Sequence, residues 1–370
     1  MRILVVNAGS SSLKLRLLDA ADQLTASADL PASSGGFDTA EAARVLAGWT
    51  RPDAAGHRIV HGGTRFDAAT RIDAQVEQQL RELTDLAPLH QPKSLAGLDA
   101  VSAALPGVPA VACFDTAFHT TIPPAAATYA IPAAWRDKYA IRRYGFHGLS
   151  HAYAARRAAG LAGRPLASLR VVTCHLGAGA SLCAVAGGRS VDTTMGFTPL
   201  EGLVMATRSG SVDPGLVLWL EEHQNLSPRE VATALEERSG LYALAGTPDM
   251  RQIQDRASAA DPQAQLALDV YLHRLAASVA SMAVATGGLD LLVFTGGVGE
   301  HSALIRARTA ELLAWLGVAI DSRVNAAADG DTDLTAPGAT VTSVLVTARE
   351  DLQIARETRR VLRGQRPGGQ

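Results

Sequence analysis

Four short stretches hold the residues best able to do chemistry. RRYGFHGLSH (142–151) gathers two arginines, two histidines and two aromatics around two glycines. Packing alone does not call for that density of titratable groups beside glycine, and His147 is the candidate within it. Arg58 sits in GHRIVHGGTRF (56–66), in a short strand that runs into His61-Gly62-Gly63. A charge there either forms a structural salt bridge or lines a cavity, because burying it alone is costly. Asp115 follows the apolar run Ala110 to Phe114. It stands at the carboxyl end of a strand, where α/β sheets bind ligands, or it caps the next turn. Arg208 lies in TRSG (207–210), at the end of a Gly-, Thr- and Pro-rich stretch from 187 that reads as a binding loop rather than a spacer. Two arginines, an acid and a histidine suit an anionic substrate.

The elements that must position these groups begin with residues 3–18, ILVVNAGSSSLKLRLL. The run Ile3 to Val6 predicts a buried strand, and Leu13, Leu15 and Leu17 alternate with Lys14 and Arg16 as a half-buried one. The turn between them, Asn7 to Ser12, is rich in backbone N–H groups and hydroxyls, which suits a phosphate-like anion. A hairpin turn without a ligand is the plainer reading of that stretch alone. Residues 170–186, RVVTCHLGAGASLCAVA, repeat the strand, glycine turn and strand in the second half of the chain. Two such units predict a duplicated fold with a cleft between the halves.

The spacing of Val76, Leu80, Leu83 and Ala87 predicts a helix over 74–87 that Pro88 stops, followed by the loop LHQP (89–92). A helix capped by Ser150 follows His147. Ser227-Pro228-Arg229-Glu230 is a capping box whose helix Gly240 should end. GTPDMRQI (246–253) reads as a loop. Asp261-Pro262 opens a long helix to about Thr286, with Gly287-Gly288 as its stop. The strand Leu291 to Phe294 leads through TGGVGE (295–300) into a helix capped by Ser302, a place where a nucleotide can lie against backbone. The pattern is neither a Walker A motif nor the dinucleotide fingerprint, and no HExxH or protein-kinase motif is present. A strand from Val344 to Val346 runs into Arg349-Glu350-Asp351 and a last helix.

A length of 370 residues allows two domains with their own cores. Hydrophobic content of 47% and charged content of 19% predict an ordinary soluble globular protein. A net charge of −2 leaves no electrostatic footprint for nucleic acid or an anionic membrane. Cys113, Cys174 and Cys183 lie in apolar runs without CxxC spacing, so buried thiols of a reducing compartment are expected. Residues 1–18 lack the order of a signal peptide, and the apolar stretch 272–294 is interrupted by His273, Arg274, Gly287, Gly288 and Asp290. A cytoplasmic protein is expected.

Read in order, NAGSSSLK (7–14), GHRIVHGG (56–63), LAPLH (86–90), FDTAFH (114–119), RRYGFHG (142–148), VDTTMGFTPLEGL (191–203), TRSG (207–210) and FTGGVGE (294–300) resemble the acetate kinase family over essentially the whole chain. That family belongs to the acetate and sugar kinase, heat-shock chaperone and actin superfamily. The resemblance implies an α/β fold of two duplicated ribonuclease H-like (actin-like ATPase) domains with an interdomain active-site cleft. The first would span 1–117 plus 353–370, and the second 118–352 with the nucleotide site. It implies reversible in-line transfer of the ATP γ-phosphoryl group to acetate, with Mg2+ or Mn2+ as cofactor. It also implies a homodimer, with neither nucleic acid nor membrane as partner.

Carried over position by position, the resemblance makes Arg58 and Arg208 hold the carboxylate and the phosphoryl group in flight, as forked guanidinium groups suit planar anionic oxygens. His147 would donate to the equatorial oxygens, and Asp115 would orient an arginine or a metal-bound water. Asn7 and Glu350 would hold the metal, with Ser10, Ser12 and Lys14 serving the phosphates. His90 would contribute on the substrate side, and Val60, Leu89, Phe146 and Pro199 would form the acyl pocket. His175, Gly177, Ala178 and Gly179 of the second hairpin would face the nucleotide, as would Asp249, Met250 and Arg251 and the run Gly296, Gly297, Val298, Gly299 and His301.

The sequence departs from the family pattern at Ala178 and Ala180, where Asn and Ser are usual, and at His301, Gln91 and Arg349, each in place of Asn. Ser211 replaces an Asp. An active enzyme with altered nucleotide handling is expected. The competing readings are a propionate or butyrate kinase, a nucleotide-binding regulator on the same fold and, more remotely, an actin-like filament protein.

Overall fold

Ile3–Ala8 (β1) is apolar on both faces, as a strand covered by helices on either side requires. The computed structural model describes residues 1–9, 12–33, 36–86 and 91–364. Ser12–Leu18 (β2) returns antiparallel to β1, and Leu24–Ser33 (β3) and Gly36–Phe37 (β4) continue toward that edge. Ala54–Ile59 (β5) lies parallel to β1; Thr70–Arg71 (β6) and Ala110–Phe114 (β7) follow, with β7 parallel to β5 and β6 antiparallel to β7. The order is β4-β3-β2-β1-β5-β7-β6.

A second sheet is built from Arg170–Leu176 (β8), Ala180–Ala186 (β9), Arg189–Thr193 (β10), Leu291–Thr295 (β11), Thr332–Asp333 (β12) and Thr342–Leu345 (β13). Its order is β10-β9-β8-β11-β13-β12, with β8, β11 and β13 parallel and the rest antiparallel. Thus β10-β9-β8-β11-β13 repeats the sense and order of β3-β2-β1-β5-β7. This is the duplicated ribonuclease H-like plan.

The chain forms two units, one of residues 1–120, 146–153 and 349 onward, the other of 121–145 and 154–348. In the first, Leu4, Val6 and Ala8 join Leu13, Leu15 and Leu17 under the helix Gln91–Ala104. Ile3 and Val5 point the other way, onto Ile354 and Ala355 of the helix Glu350–Leu362. Gly56 on β5 makes that second contact possible, since a Cβ there would meet Thr358 Oγ1 at 2.3 Å and Ile354 Cγ2 at 2.7 Å. In the second unit the helix Pro262–Thr286 covers β8 and β9. Among the described residues no helix is long and apolar enough to cross a membrane.

The capping box at Ser227 and Glu230 and the long helix from Pro262 form as expected. Several boundaries differ. The helix from Ala74 stops at Glu82, and a 3-10 turn covers Thr84–Leu86. Gln91 and Pro92 start a helix rather than finish a loop; proline tolerates a first turn because its missing N–H would be unsatisfied there anyway. Gly240 opens a helix instead of ending one, its φ of +61° making the reversal after Arg238. The loop expected over 246–253 gives way to a helix at Met250, capped by Asp249. Ser150 is not a cap, because the helix Gly148–Leu161 begins before it.

Candidate active site

Three parallel strands of the first unit end side by side, and each delivers one polar group at that end. Asn7 comes from β1, Arg58 from β5, and Asp115 directly after β7. Arg58 Nε lies 3.1 Å from both Asp115 oxygens, and Nη2 donates to Oδ2 at 2.5 Å. Arg58 Nη1 reaches Asn7 Oδ1 at 3.3 Å, and Asn7 Nδ2 donates to Glu350 Oε2 at 3.0 Å. The open choice at Arg58, salt bridge or cavity wall, resolves into an ion pair that sits among further polar groups. Glu350 arrives from the far end of the sequence, at the first turn of the helix that Gly56 admits.

The Asp115 side chain is 1% exposed and that of Arg58 16%. Burial raises the Asp115 carboxyl above the ordinary aspartate range, Arg58 pulls it back, and Glu350 adds repulsion. Arg58 bears the cost of its own desolvation, but Asp115 and Glu350 together hold its pKa above the usual arginine value. The result is a fixed guanidinium with its Nε and Nη2 edge occupied by one carboxylate. Oxygen donors from Asn7 and Glu350 beside it match the preference of a hard divalent cation. Among the described residues there is no group of three His, Cys, Asp or Glu side chains that holds a metal by itself.

His147 stands on a left-handed turn, φ +56°, which is unusual for a residue with a side chain. Gly148 N donates to Asp115 O at 2.9 Å, and His151 N to His147 O at 2.9 Å. A Cβ on Gly148 would stand 2.2 Å from Asp115 O. The turn bearing His147 is therefore seated directly on the backbone of Asp115. Val60 and Phe146 are 5% and 1% exposed, and the Phe146 ring meets His61 edge-on at 5.5 Å between centroids. Ser12 begins β2, where its carbonyl accepts from Gly9 N at 2.8 Å, and Lys14 is exposed opposite Asn7 in the register. Ser10, Leu89 and His90, three expected site residues, lie outside the described residues.

In the second unit Arg208 Nη1 donates to Pro199 O at 3.3 Å, which joins an expected phosphoryl-handling residue to an expected pocket residue. Burial lowers the Arg208 pKa, and the carboxylate of Glu236 opposes that. Arg143 fastens the loop before Pro199: Nη1 reaches the carbonyls of Thr193, Thr194 and Met195 at 3.1–3.3 Å, and Nη2 meets Glu201 Oε1 at 2.7 Å. The Tyr129 hydroxyl donates to the other Glu201 oxygen. Gly196 must lack a side chain, because a Cβ there would fall 2.1 Å from that hydroxyl.

Of the expected nucleotide residues, His175, Gly177, Ala178 and Gly179 lie at the carboxyl end of β8, and Gly296, Gly297, Val298, Gly299 and His301 directly after β11. His175 pairs in register with Ser181 and Thr295, and Gly177, Ala178 and Gly179 make the turn. Gly296, Gly297, Val298, Gly299 and His301 are themselves helical, as Gly296–His301, rather than a turn before a helix. Gly296 has φ +78° and lies against Leu176, whose oxygen a Cβ would meet at 2.9 Å. Glu300 Oε1 accepts from Gly296 N and from Ala348 N, each at 3.0 Å. Asp249 caps the helix Met250–Ser258, accepting from Arg251 N at 2.9 Å; Met250 is buried and Arg251 exposed. Gln254 of that helix accepts from Ser302 Oγ, the cap of the helix Ala303–Leu312.

A model of the acetokinase family matches residues 37–356. The chain belongs to the acetokinase family. Acetate kinase of Deinococcus deserti is 45% identical over 397 aligned residues, covering 99% of each chain. The crystal structure of Porphyromonas gingivalis acetate kinase superposes with a TM-score of 0.89 at 34% identity, over 98% of this chain and 99% of that one. A propionate kinase from Francisella tularensis gives 0.88 at 35% identity, over 96% and 98%.

Within this family's pattern three of the departures, Gln91, Arg349 and Ser211, have structural accounts. Gln91 is fully buried; it accepts from His61 N at 3.3 Å and donates to Leu80 O at 3.3 Å, so the side chain pins the turn after β5. Arg349 forms a bidentate pair with Asp351 at 2.9 Å. Ser211 Oγ accepts from Gly202 N at 3.1 Å. Ala178 is exposed, and only its carbonyl is engaged, by Ala206 N at 3.0 Å. Sequence reasoning passed over Arg143, Glu201, Tyr129, Glu300 and His119 as supports of the site. All but Tyr129 belong to dense motifs, yet nothing local shows whom a side chain will meet 50 residues away.

Proposed function

We propose that this chain transfers the γ-phosphoryl group of ATP reversibly to acetate, giving acetyl phosphate and ADP by direct in-line displacement. The observation that carries the reading is the Arg58–Asp115 pair with Asn7 and Glu350 at the ends of three parallel strands. Phosphoryl transfer asks for positioning and charge neutralisation more than covalent chemistry. Asp115 takes the Nε and Nη2 edge of Arg58 and Asn7 Oδ1 meets one N–H of Nη1, which leaves the other Nη1 N–H to meet an anionic oxygen. Arg208, aimed by the carbonyl of Pro199, neutralises the phosphoryl oxygens. His147, displayed on its left-handed turn, donates to the equatorial oxygens.

Mg2+ or Mn2+ fits Glu350 and Asn7 through oxygen, and bound there it would neutralise phosphate charge. Ser10, Ser12 and Lys14 serve the phosphates, His90 the acceptor, and Val60, Leu89, Phe146 and Pro199 the acyl methyl. The backbone of Gly177, Ala178 and Gly179 and of Gly296 to Gly299, with His175, Asp249, Met250, Arg251 and His301, takes the nucleotide. A propionate preference is the second reading, since the Francisella propionate kinase superposes as well and one methylene changes discrimination by only about 1–3 kcal/mol.

The test is hydroxylamine trapping of acyl phosphate from ATP and Mg2+ with acetate, propionate and butyrate in parallel. Acetate-dependent product that disappears in Arg208→Ala is the expected result. No product with any acid, from protein that binds ATP, overturns the reading. A homodimer is part of the proposal: the helix Pro214–Gln224 buries no residue, and its Leu216, Leu218 and Trp219 are exposed. Sedimentation at the mass of one chain would contradict it. A reducing cytoplasm suits Cys113, Cys174 and Cys183, all buried and outside any disulfide, and cell fractionation checks that placement.

A further inference from the structure

We propose that His119 is the positioning residue that holds the His147 turn in its left-handed geometry, through a hydrogen bond to the peptide immediately before it. The inference rests on the reading of His147 as a donor to the transferred phosphoryl group.

His119 lies four residues beyond Asp115, in the 3-10 turn Ala117–Thr121, and is fully buried. Its Nε2 is 2.9 Å from Phe146 O. A carbonyl only accepts, so Nε2 carries the proton and donates, which fixes the tautomer. Burial holds the imidazole pKa down at about 4, so the ring is neutral near pH 7. The Phe146 carbonyl belongs to the peptide that joins Phe146 to His147. Fixing that peptide plane limits φ of His147, the torsion that stands at +56°.

The contacts around this bond show two turns keyed into each other. Gly148 N donates to Asp115 O, and a Cβ on Gly148 would meet Phe118 Cβ at 2.9 Å. His119 N in turn donates to Thr116 O at 3.1 Å. The His151 ring lies 5.8 Å from His119 and 6.5 Å from His147, centroid to centroid, so it packs against both. A non-glycine residue in the left-handed region is strained and persists only where its surroundings over-determine it. Here the peptide on one side of His147 is held by His119 and the peptide on the other by Asp115. The turn that orients Arg58 through Asp115 thereby also orients His147.

The experiment compares full-length His119→Ala, His119→Gln, His147→Ala and the double variant His119→Ala with His147→Ala. Glutamine carries an amide N–H to about the position of the imidazole Nε2. His119→Ala should lower kcat about tenfold to hundredfold, the scale of a small misplacement of a reacting group, with KM for ATP and acetate changed less than about threefold. His119→Gln should recover most of the loss. The double variant should be no slower than His147→Ala, because a residue that acts through another adds nothing once that other is gone. Multiplicative losses in the double variant, or a folded His119→Gln as impaired as His119→Ala, overturn the proposal while leaving the acetate kinase reading intact. If His119→Ala does not fold, His119→Leu takes its place, filling the site without a donor. If the wild type makes no acetyl phosphate, the functional reading fails and imidazole NMR still decides this one. His147 resonances that shift in His119→Ala and return in His119→Gln support it, and resonances that stay put overturn it.

Discussion

The two units share one sheet plan and put different materials at the ends of their parallel strands. In the first, side-chain charge is fixed by side-chain charge: Arg58 on Asp115, with Asn7 and Glu350 next to them. In the second, the ends of β8 and β11 present backbone and small residues, Gly177 to Gly179 and Gly296 to Gly299, and Glu300 is turned inward to brace peptide N–H groups. A duplicated scaffold thus carries two kinds of surface at its strand ends. A buried ion pair gives orientation to a charge that would otherwise be costly, while glycine backbone lets a flat or phosphate-bearing ligand approach closely. His57, His61 and His119, each held down to about 4 by burial, all belong to the first unit.

The sharpest way to break this comparison is Asp115→Asn. It leaves the shape and removes the charge that orients Arg58, so kcat should fall on the order of a hundredfold or more, with KM for ATP nearly unchanged. A rise in KM for ATP without loss of kcat would mean the ion pair is not the catalytic side of the division.

Next in size are two glycines with opposite expected outcomes. Gly56→Ala drives a methyl into Thr358 and Ile354; the overpacking should cost about 1–3 kcal/mol in stability and lower kcat, because the helix that starts at Glu350 is displaced. Gly296→Ala, at φ +78° against Leu176, should cost about 1–3 kcal/mol through backbone strain and raise KM for ATP while leaving that for acetate. Thermal unfolding and steady-state kinetics on the pair read both effects, and an exchange of the two kinetic patterns would sink the assignment.

The smallest effect concerns acid. His57 is fully buried, and its pKa falls from 6.5 to about 4 on folding. Between those values the unfolded chain binds more protons than the folded one. Stability therefore rises with pH across that window and is lost as pH falls through it, by up to about 1.4 kcal/mol per pH unit for one such histidine. His57→Leu should flatten the slope of unfolding free energy between pH 6 and 4.5, read by urea titration at each pH. An unchanged slope would show that the imidazole is protonated in the folded protein.

Much of the scaffold was legible because its signals are local. The continuous apolar run of β1, the alternation in β2, the capping box at Ser227 and the proline and glycine bounds of the helix Pro262–Thr286 are read within a few residues of themselves. Helix starts at Gln91 and Gly148 were not, because distant groups decide them: Asp115 O receives Gly148 N, and Leu80 O receives the Gln91 side-chain amide. Residue types and motif order were enough to single out Arg58, Asp115, His147 and Arg208 as candidates and to place the chain in its family. The sequence could not say that Arg58 is held edge-on by Asp115, that Glu350 comes to Asn7 across 343 positions, or that His119 carries the peptide before His147. Those contacts span tens to hundreds of residues and depend on which face of a strand and which turn of a helix meet. Packing of the complete chain settles that, and no local pattern encodes it.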